Sequence, residues 1–172
     1  MSEIETETGA EIGTAVDAET VTKDELPAEI DLIIPLHEAT CPSISGRSIL
    51  TFVIGKHEVD GTWHLRIVGN SGKGMWFDGW ASAVDIDNLV KGATALTAKS
   101  FHALHPGRSI NTGGFVLAAL KQLGLIRTNV ENTRLHEHVP TETFAKVAIT
   151  AIDPGATAKK PKATKVKPKE VS

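Results

Sequence analysis

Cysteine is nearly absent from this chain. Cys41 is the only one, which excludes an internal disulfide and a cysteine-built zinc cluster and points to a reducing, cytoplasmic setting. Long apolar runs are missing as well. No stretch approaches the ~18 residues of a membrane span, and the start of the chain lacks the basic and apolar regions of a signal peptide. A soluble protein is therefore expected. No internal period of ~20–50 residues is visible, so solenoid and propeller architectures fall away.

Catalytic signatures are equally scarce. Gly69-Asn70-Ser71-Gly72-Lys73-Gly74 has the look of a phosphate-binding loop. A P-loop, however, needs four residues between its glycines, then Gly-Lys-Ser/Thr leading into a helix. Here two residues separate Gly69 from Gly72, Gly74 stands where the metal-binding hydroxyl should be, and strand-like sequence follows. Nucleotide hydrolysis is rejected on that ground, while the amides of a glycine-rich turn exposing Lys73 remain suited to meet a phosphate. His37 and Cys41 supply the minimum pair for thiol catalysis. No helix start follows Cys41 and Pro42 restricts its backbone, so a buried structural cysteine is expected. His136-Glu137-His138 puts two imidazoles on one strand face, and His37, His102 or His105 would be further zinc ligands. No helical His frame and no orienting carboxylate accompany them, so a surface strand is expected and no metal or cofactor is assigned. Nothing arranges a nucleophile, a base and an orienting group, which argues against an enzyme.

What the chain does have is segregated charge. Residues 1–31 carry ten acids against one lysine, a net −9, and residues 159–172 carry six lysines against one acid, a net +5. The stretch 32–158 is close to neutral at +1. With 41% hydrophobic residues, the middle is long enough for one domain with a sizeable core, about 32–153. Residues 1–31 read as a disordered acidic tail, too poor in apolar residues to offset chain entropy. Residues 154–172 read as an extended Lys/Pro tail. Its Lys159, Lys160, Lys162, Lys165, Lys167 and Lys169 suit sequence-independent binding of nucleic acid through counterion release.

Within the middle, Leu32–Leu36 reads as a short edge strand or extended lead-in and Cys41–Gly46 as a loop. Residues 48–80 pattern as a three-stranded antiparallel meander: Ser48–His57, an Asp60-Gly61 turn, Trp63–Val68, the glycine loop, then Met75–Trp80. Period-two alternation puts Leu50, Phe52 and Ile54, then Trp63, Leu65 and Ile67, then Met75 and Phe77 on a core face. The other face carries Arg66, Trp76 and Trp80, a candidate stacking face for single-stranded nucleic acid. A helix opens near Asp85 and runs to about His105, with a bend or split near Gly92–Thr94. Pro106-Gly107 ends it.

Residues 108–138 are the most sharply punctuated stretch. Ser109 or Asn111-Thr112 can cap a second helix, Phe115, Val116, Ala119, Leu120 and Leu123 give it an apolar stripe, and Gly124 stops it. A short strand, a polar turn and a returning strand follow, closed by Pro140. Phe144–Ile152 reads as a final strand or short helix. The fold class is α+β: a meander, two helices and a C-terminal hairpin.

The order helix, tight turn, helix ending in Leu120-Lys121-Gln122-Leu123-Gly124-Leu125-Ile126-Arg127, then a polar hairpin resembles the second half of a winged helix, over residues 86–139. That resemblance implies DNA binding, with Arg108, Ser109, Asn111, Thr112 and Lys121 on the reading helix and Arg127 and Arg134 flanking the wing. Six bases against two acids between Asn88 and Val139 point the same way. The expectation is a small non-enzymatic DNA-binding protein, regulatory or accessory, for example in transcription. The alternative is a protein-binding adaptor or inhibitor that uses the acidic tail or the Trp-bearing sheet face.

Overall fold

The computed structural model describes residues 32–155. The acidic segment 1–31 and the lysine tail from Lys159 to Lys169 lie outside the described residues. The architecture is α+β. Strands β1 (Ile33–Pro42), β2 (Ile49–His57), β3 (Trp63–Asn70) and β4 (Ala81–Ser82) form an antiparallel sheet in sequential order. Helices α1 (Ala83–Val90) and α2 (Ile110–Leu123) follow, then a hairpin of β5 (Ile126–Thr128) and β6 (His136–His138), and helix α3 (Phe144–Ile152). A 3-10 turn, Ser100–Leu104, lies between α1 and α2.

The core forms where the alternation of β2 and β3 places it. Leu50, Phe52, Ile54, Leu65 and Ile67 are all at most 1% exposed. They meet Ile86 and Val90 of α1, Val116, Leu117 and Leu120 of α2, and Phe144 and Val147 of α3. Ile86 and Val90 are four apart, Val116 and Leu120 four, Leu117 and Leu120 three, and Phe144 and Val147 three, the spacing that brings one helix face inward. The Asp60-Gly61 turn forms as expected: His57 N–H donates to the Thr62 carbonyl at 2.8 Å, and Gly61 takes φ +71°.

Three expectations need correction. β1 is ten residues long rather than a short lead-in, and it includes Cys41 and Pro42, where the sequence predicts a loop. Pro35 is tolerated because β1 is the sheet edge and its pairing with β2 slips between Pro35 and His37, the kind of bulge where a missing N–H costs no ladder bond. The third meander strand does not form. Met75–Trp80 makes no ladder, Met75 is 82% exposed rather than in the core, and only Ala81–Ser82 pairs with β3. Side chains from the start of α2 hold that backbone instead. The helix expected over 85–105 is two pieces. α1 ends at Val90, Gly92 follows at φ +70°, and the chain stays irregular until the 3-10 turn. The expected split near Gly92 is the part of that reading that holds.

Local signals explain the helix ends. Ser82 caps α1, its hydroxyl accepting from Asp85 N–H at 3.1 Å and donating to the Asp85 carboxylate at 2.8 Å, so one residue satisfies an orphan donor while fixing an acid near the positive helix end. Gly124 closes α2 at φ +83°. Its N–H and that of Leu125 reach back to the Lys121 and Leu120 carbonyls, each at 3.1 Å. This is a Schellman closure with the fully buried Leu125 as its apolar partner. The final element is a helix, capped by Thr143. Between α1 and the 3-10 turn, Leu96 pairs with His136 through two backbone hydrogen bonds of 2.7 and 2.9 Å, adding a third line of chain to the hairpin in the order Leu96, β6, β5.

Candidate functional site

The start of α2 is where the winged-helix resemblance places a reading surface, and the residues there are already engaged. Ser109 sits at the N-cap position, yet its hydroxyl donates to the Met75 carbonyl at 2.6 Å instead of capping the helix. The Asn111 amide donates to the same carbonyl at 3.1 Å. Thr112 is buried, and its hydroxyl accepts from Phe77 N–H at 2.9 Å. Together they replace the missing ladder of the 75–80 segment. The Arg108 guanidinium lies over the Phe77 ring at 4.5 Å, a contact worth about 0.5–1 kcal/mol at an exposed site. Phe77 in turn meets the His105 ring edge-on at 5.1 Å.

The β5–β6 hairpin is partly self-paired too. Arg127 Nε donates to Glu137 Oε1 at 2.6 Å across β5 and β6, and Glu137 Oε2 accepts from Asn129 at 2.9 Å. Arg134 is exposed in the connection between the strands. Lys121 is exposed near the end of α2. Among the described residues, Arg134 and Lys121 make no ion pair.

The structure does not bring Arg66, Trp76 and Trp80 onto one strand-borne face. Trp76 packs against the core side beside Phe115, and its Nε1–H donates to the Ile67 carbonyl at 3.1 Å. Trp80 lies on the opposite face of the sheet, over Gly55. A Cβ on Gly55 would stand 2.8 Å from the Trp80 ring and 2.6 Å from Ile33 Cγ2, so only glycine lets the indole settle there. The Arg66 guanidinium covers the same ring at 4.4 Å and His64 meets it edge-on. That ring face is therefore occupied from within the chain.

The histidine and cysteine candidates separate as well. His138 accepts from Gly92 N–H at Nδ1 (3.4 Å) and donates from Nε2 to the Glu142 carbonyl at 2.9 Å, while His136 is only 4% exposed. No group of three metal-ligating side chains forms among the described residues. Burial pushes the Cys41 thiol up to about 11, the opposite of an activated thiolate. His37 is four strand residues away, about 13 Å at ~3.3 Å per residue.

Two buried histidines carry a pH consequence. His105 and His136 both have lowered pKa values, each chiefly from burial, helped by Arg108 beside His105 and Lys121 near His136; a backbone hydrogen bond with Leu96 partly opposes the shift at His136. A histidine lowered in the folded state binds fewer protons there than in the unfolded chain. It therefore costs nothing well above ~6.5 and destabilises the fold as pH drops through and below that value. Urea unfolding at pH 7.5 and 5.5 is expected to show lower stability at 5.5, with a smaller drop in His105→Phe. An equal drop in that variant would remove His105 from the account.

Arg47 and the serines of the turn 43–48, which the sequence reading left out, lie along α2 with Lys121 and Lys73. The turn 43–48 leans over the exposed stripe of the helix. With Lys121 and Gln122 it encloses a groove of about 490 Å³, which also touches Ala118. Around the same turn, on the side of the glycine loop, lies a second cavity of about 310 Å³ lined by Arg47 and Lys73 together with serines and asparagines. Ser43 and Ser45 line both. Among the described residues, no acid lines either space. Within the second, Asn70 Oδ1 accepts from Gly72 N–H at 3.0 Å, while its buried Nδ2 has no hydrogen-bond partner among the described residues. An unmet buried donor costs about 1–3 kcal/mol, so a fold that keeps one invites an acceptor. The legible signal was two Ser/Gly-rich turns, each with one cation and no acid.

Comparison with known proteins returns no matching family model, no matching curated protein and no matching solved structure.

Proposed function

We propose that this is a small non-enzymatic nucleic-acid-binding protein, acting on DNA in a regulatory or accessory role. The observation that carries the reading is the cationic strip along α2, lined by no acid among the described residues, where Lys121 and Gln122 adjoin the serine-rich turn and continue to Arg47 and Lys73. Phosphate contacts from such groups position a protein without reading sequence. The winged-helix-like order also supports it: α1, a strand residue at Leu96, the 3-10 turn, α2 and a hairpin, with Leu96 beside β6. The Arg108–Thr112 cluster contributes by shaping the surface rather than by contact, since its side chains hold the 75–80 segment. Arg134, on the wing, and the lysine tail are the other contacts.

Binding of the full chain to duplex and single-stranded DNA is expected to weaken steeply as salt rises. Joint Lys121→Gln and Arg134→Gln should lower the magnitude of the log–log salt slope by about one for each phosphate that the variant no longer neutralises. Binding that survives in the double variant and disappears only when residues 156–172 are deleted would confine the function to the tail. No binding at low salt would sink the reading altogether.

A second reading rests on a different observation. The edge strand β1 and the residue before it expose Leu32, Ile34 and Leu36 at 44–46% each. An apolar sheet edge of this kind suits strand addition by a protein partner, which fits an adaptor role.

A further inference from the structure

The cavity between the turn 43–48 and the glycine loop is built more firmly than its loop setting implies. Ser71 locks the two together: its N–H donates to the Ile49 carbonyl at 2.9 Å, and its hydroxyl accepts from Ile49 N–H at 2.8 Å. Gly72 lets them approach, since a Cβ there would stand 2.8 Å from Ser48 Cβ. On the facing side, Ser43 N–H donates to the Ser48 carbonyl and Gly46 N–H to the Ser43 carbonyl, both at 2.8 Å, so the serines ride on a closed turn. Ser43 itself is only 9% exposed.

The side chains around this cavity bring donors of four types, though the Ser43 hydroxyl already accepts from Ser48 N–H and pairs with the Ser45 hydroxyl, both at 3.3 Å. Arg47 brings a planar fork of N–H groups and Lys73 an ammonium, from two different loops. Ser43, Ser45 and Ser48 add hydroxyls, and Asn70 adds the amide N–H pair that no described residue accepts. Among the described residues, no carboxylate lines the cavity to neutralise the two cations. A tetrahedral oxyanion uses such a set fully, because each oxygen accepts from several directions and charge-assisted bonds to guanidinium and ammonium are the stronger ones. A volume of about 310 Å³ stands at the lower end of the range for ligand pockets, roughly 300–1,000 Å³. It suits a phosphate group with the atoms that carry it, not a large apolar ligand.

We propose that this cavity is a phosphate-binding site, with Arg47 and Lys73 supplying the charge and Asn70 and the serines the remaining donors. The phosphate is either a free anion or one borne on a nucleic-acid strand. The site goes beyond the DNA-binding reading above and stands whether or not a polymer is the carrier.

The test uses the full chain, isotope-labelled, titrated with inorganic phosphate at constant ionic strength with chloride as the reference. Amide resonances of residues 43–48 and 70–74 are expected to shift saturably, with a Kd of about 1 mM that rises at least about tenfold in Arg47→Gln/Lys73→Gln. Both side chains are outside the core, so the variant should keep the wild-type spectrum elsewhere. No saturable shift, or equal affinity in the double variant, overturns the proposal. A short single-stranded oligonucleotide titrated in parallel separates the sources. If inorganic phosphate displaces it from these residues, the pocket takes strand phosphates; if the oligonucleotide leaves these resonances unmoved while phosphate shifts them, the ligand is a small anion. An oligonucleotide that binds elsewhere while phosphate does nothing here sinks the pocket and leaves the DNA-binding reading intact.

Discussion

Gly113→Ala is expected to lower the unfolding free energy by about 2–3 kcal/mol, against the usual direction of that exchange. In an exposed helix, alanine is better than glycine by about 1 kcal/mol. Gly113 lies in the first turn of α2, buried against the 3-10 turn. A Cβ at this position would collide with the Ala98 carbonyl oxygen and stand 3.1 Å from His102 N. Both neighbours are backbone atoms, so neither can rotate away. The crossing of α2 over the 3-10 turn would have to open, and the fully buried Phe101 would lose packing with it. For a domain of this size the loss corresponds to a fall in melting midpoint of roughly 5–15 °C. Urea or thermal unfolding reads it directly. A variant as stable as the parent would mean that the two backbones do not approach so closely.

Phe144→Ala should cost more, about 3–5 kcal/mol, the range for a large aromatic removed from a core. Phe144 is fully buried, and its N–H donates to the Asp87 carboxylate at 2.8 Å. The first turn of α3 is thereby tied to α1 through its backbone, while the ring sits in the common core. Phe144→Leu keeps much of the volume and should cost well under half as much. If both substitutions cost the same, cavity formation is not the mechanism and α3 contributes through its backbone tie alone.

What was legible in the sequence was what is local. The Asp60-Gly61 turn, the Gly124 stop and the hairpin after it each depend on a few neighbouring residues, and each formed. Met75–Trp80 shows the limit. Its alternation is that of a strand, but a strand needs a partner, and its backbone groups found the side chains of Ser109, Asn111 and Thr112 some 35 residues later in the chain. The same three residues read as DNA contacts because hydroxyls and an amide at a helix start suit an anion and a strap equally well. Only the fold selects between them. Nothing local explains Gly113, whose purpose appears only when the 3-10 turn is packed beside it. Trp80 required Gly55, a pairing that no spacing rule links. The glycine-rich turn of Lys73 was legible as a place to meet a phosphate, and Arg47 was the most recoverable omission, since it sits alone in a Ser/Gly-rich turn without an acid.

The 71–80 segment has a consequence for how the chain tolerates changes of length. In a ladder, one added residue turns every following side chain to the wrong face. Here the register between β3 and β4 rests on two residue pairs, His64 with Ser82 and Leu65 with Ala81. The segment before them hangs from α2 at Met75 and Phe77. Residues gained or lost around Asp78, between the strap and Trp80, would alter a surface arc while β2, β3 and the core rows they carry keep their faces. Insertions and deletions can accumulate at that point without a change of fold.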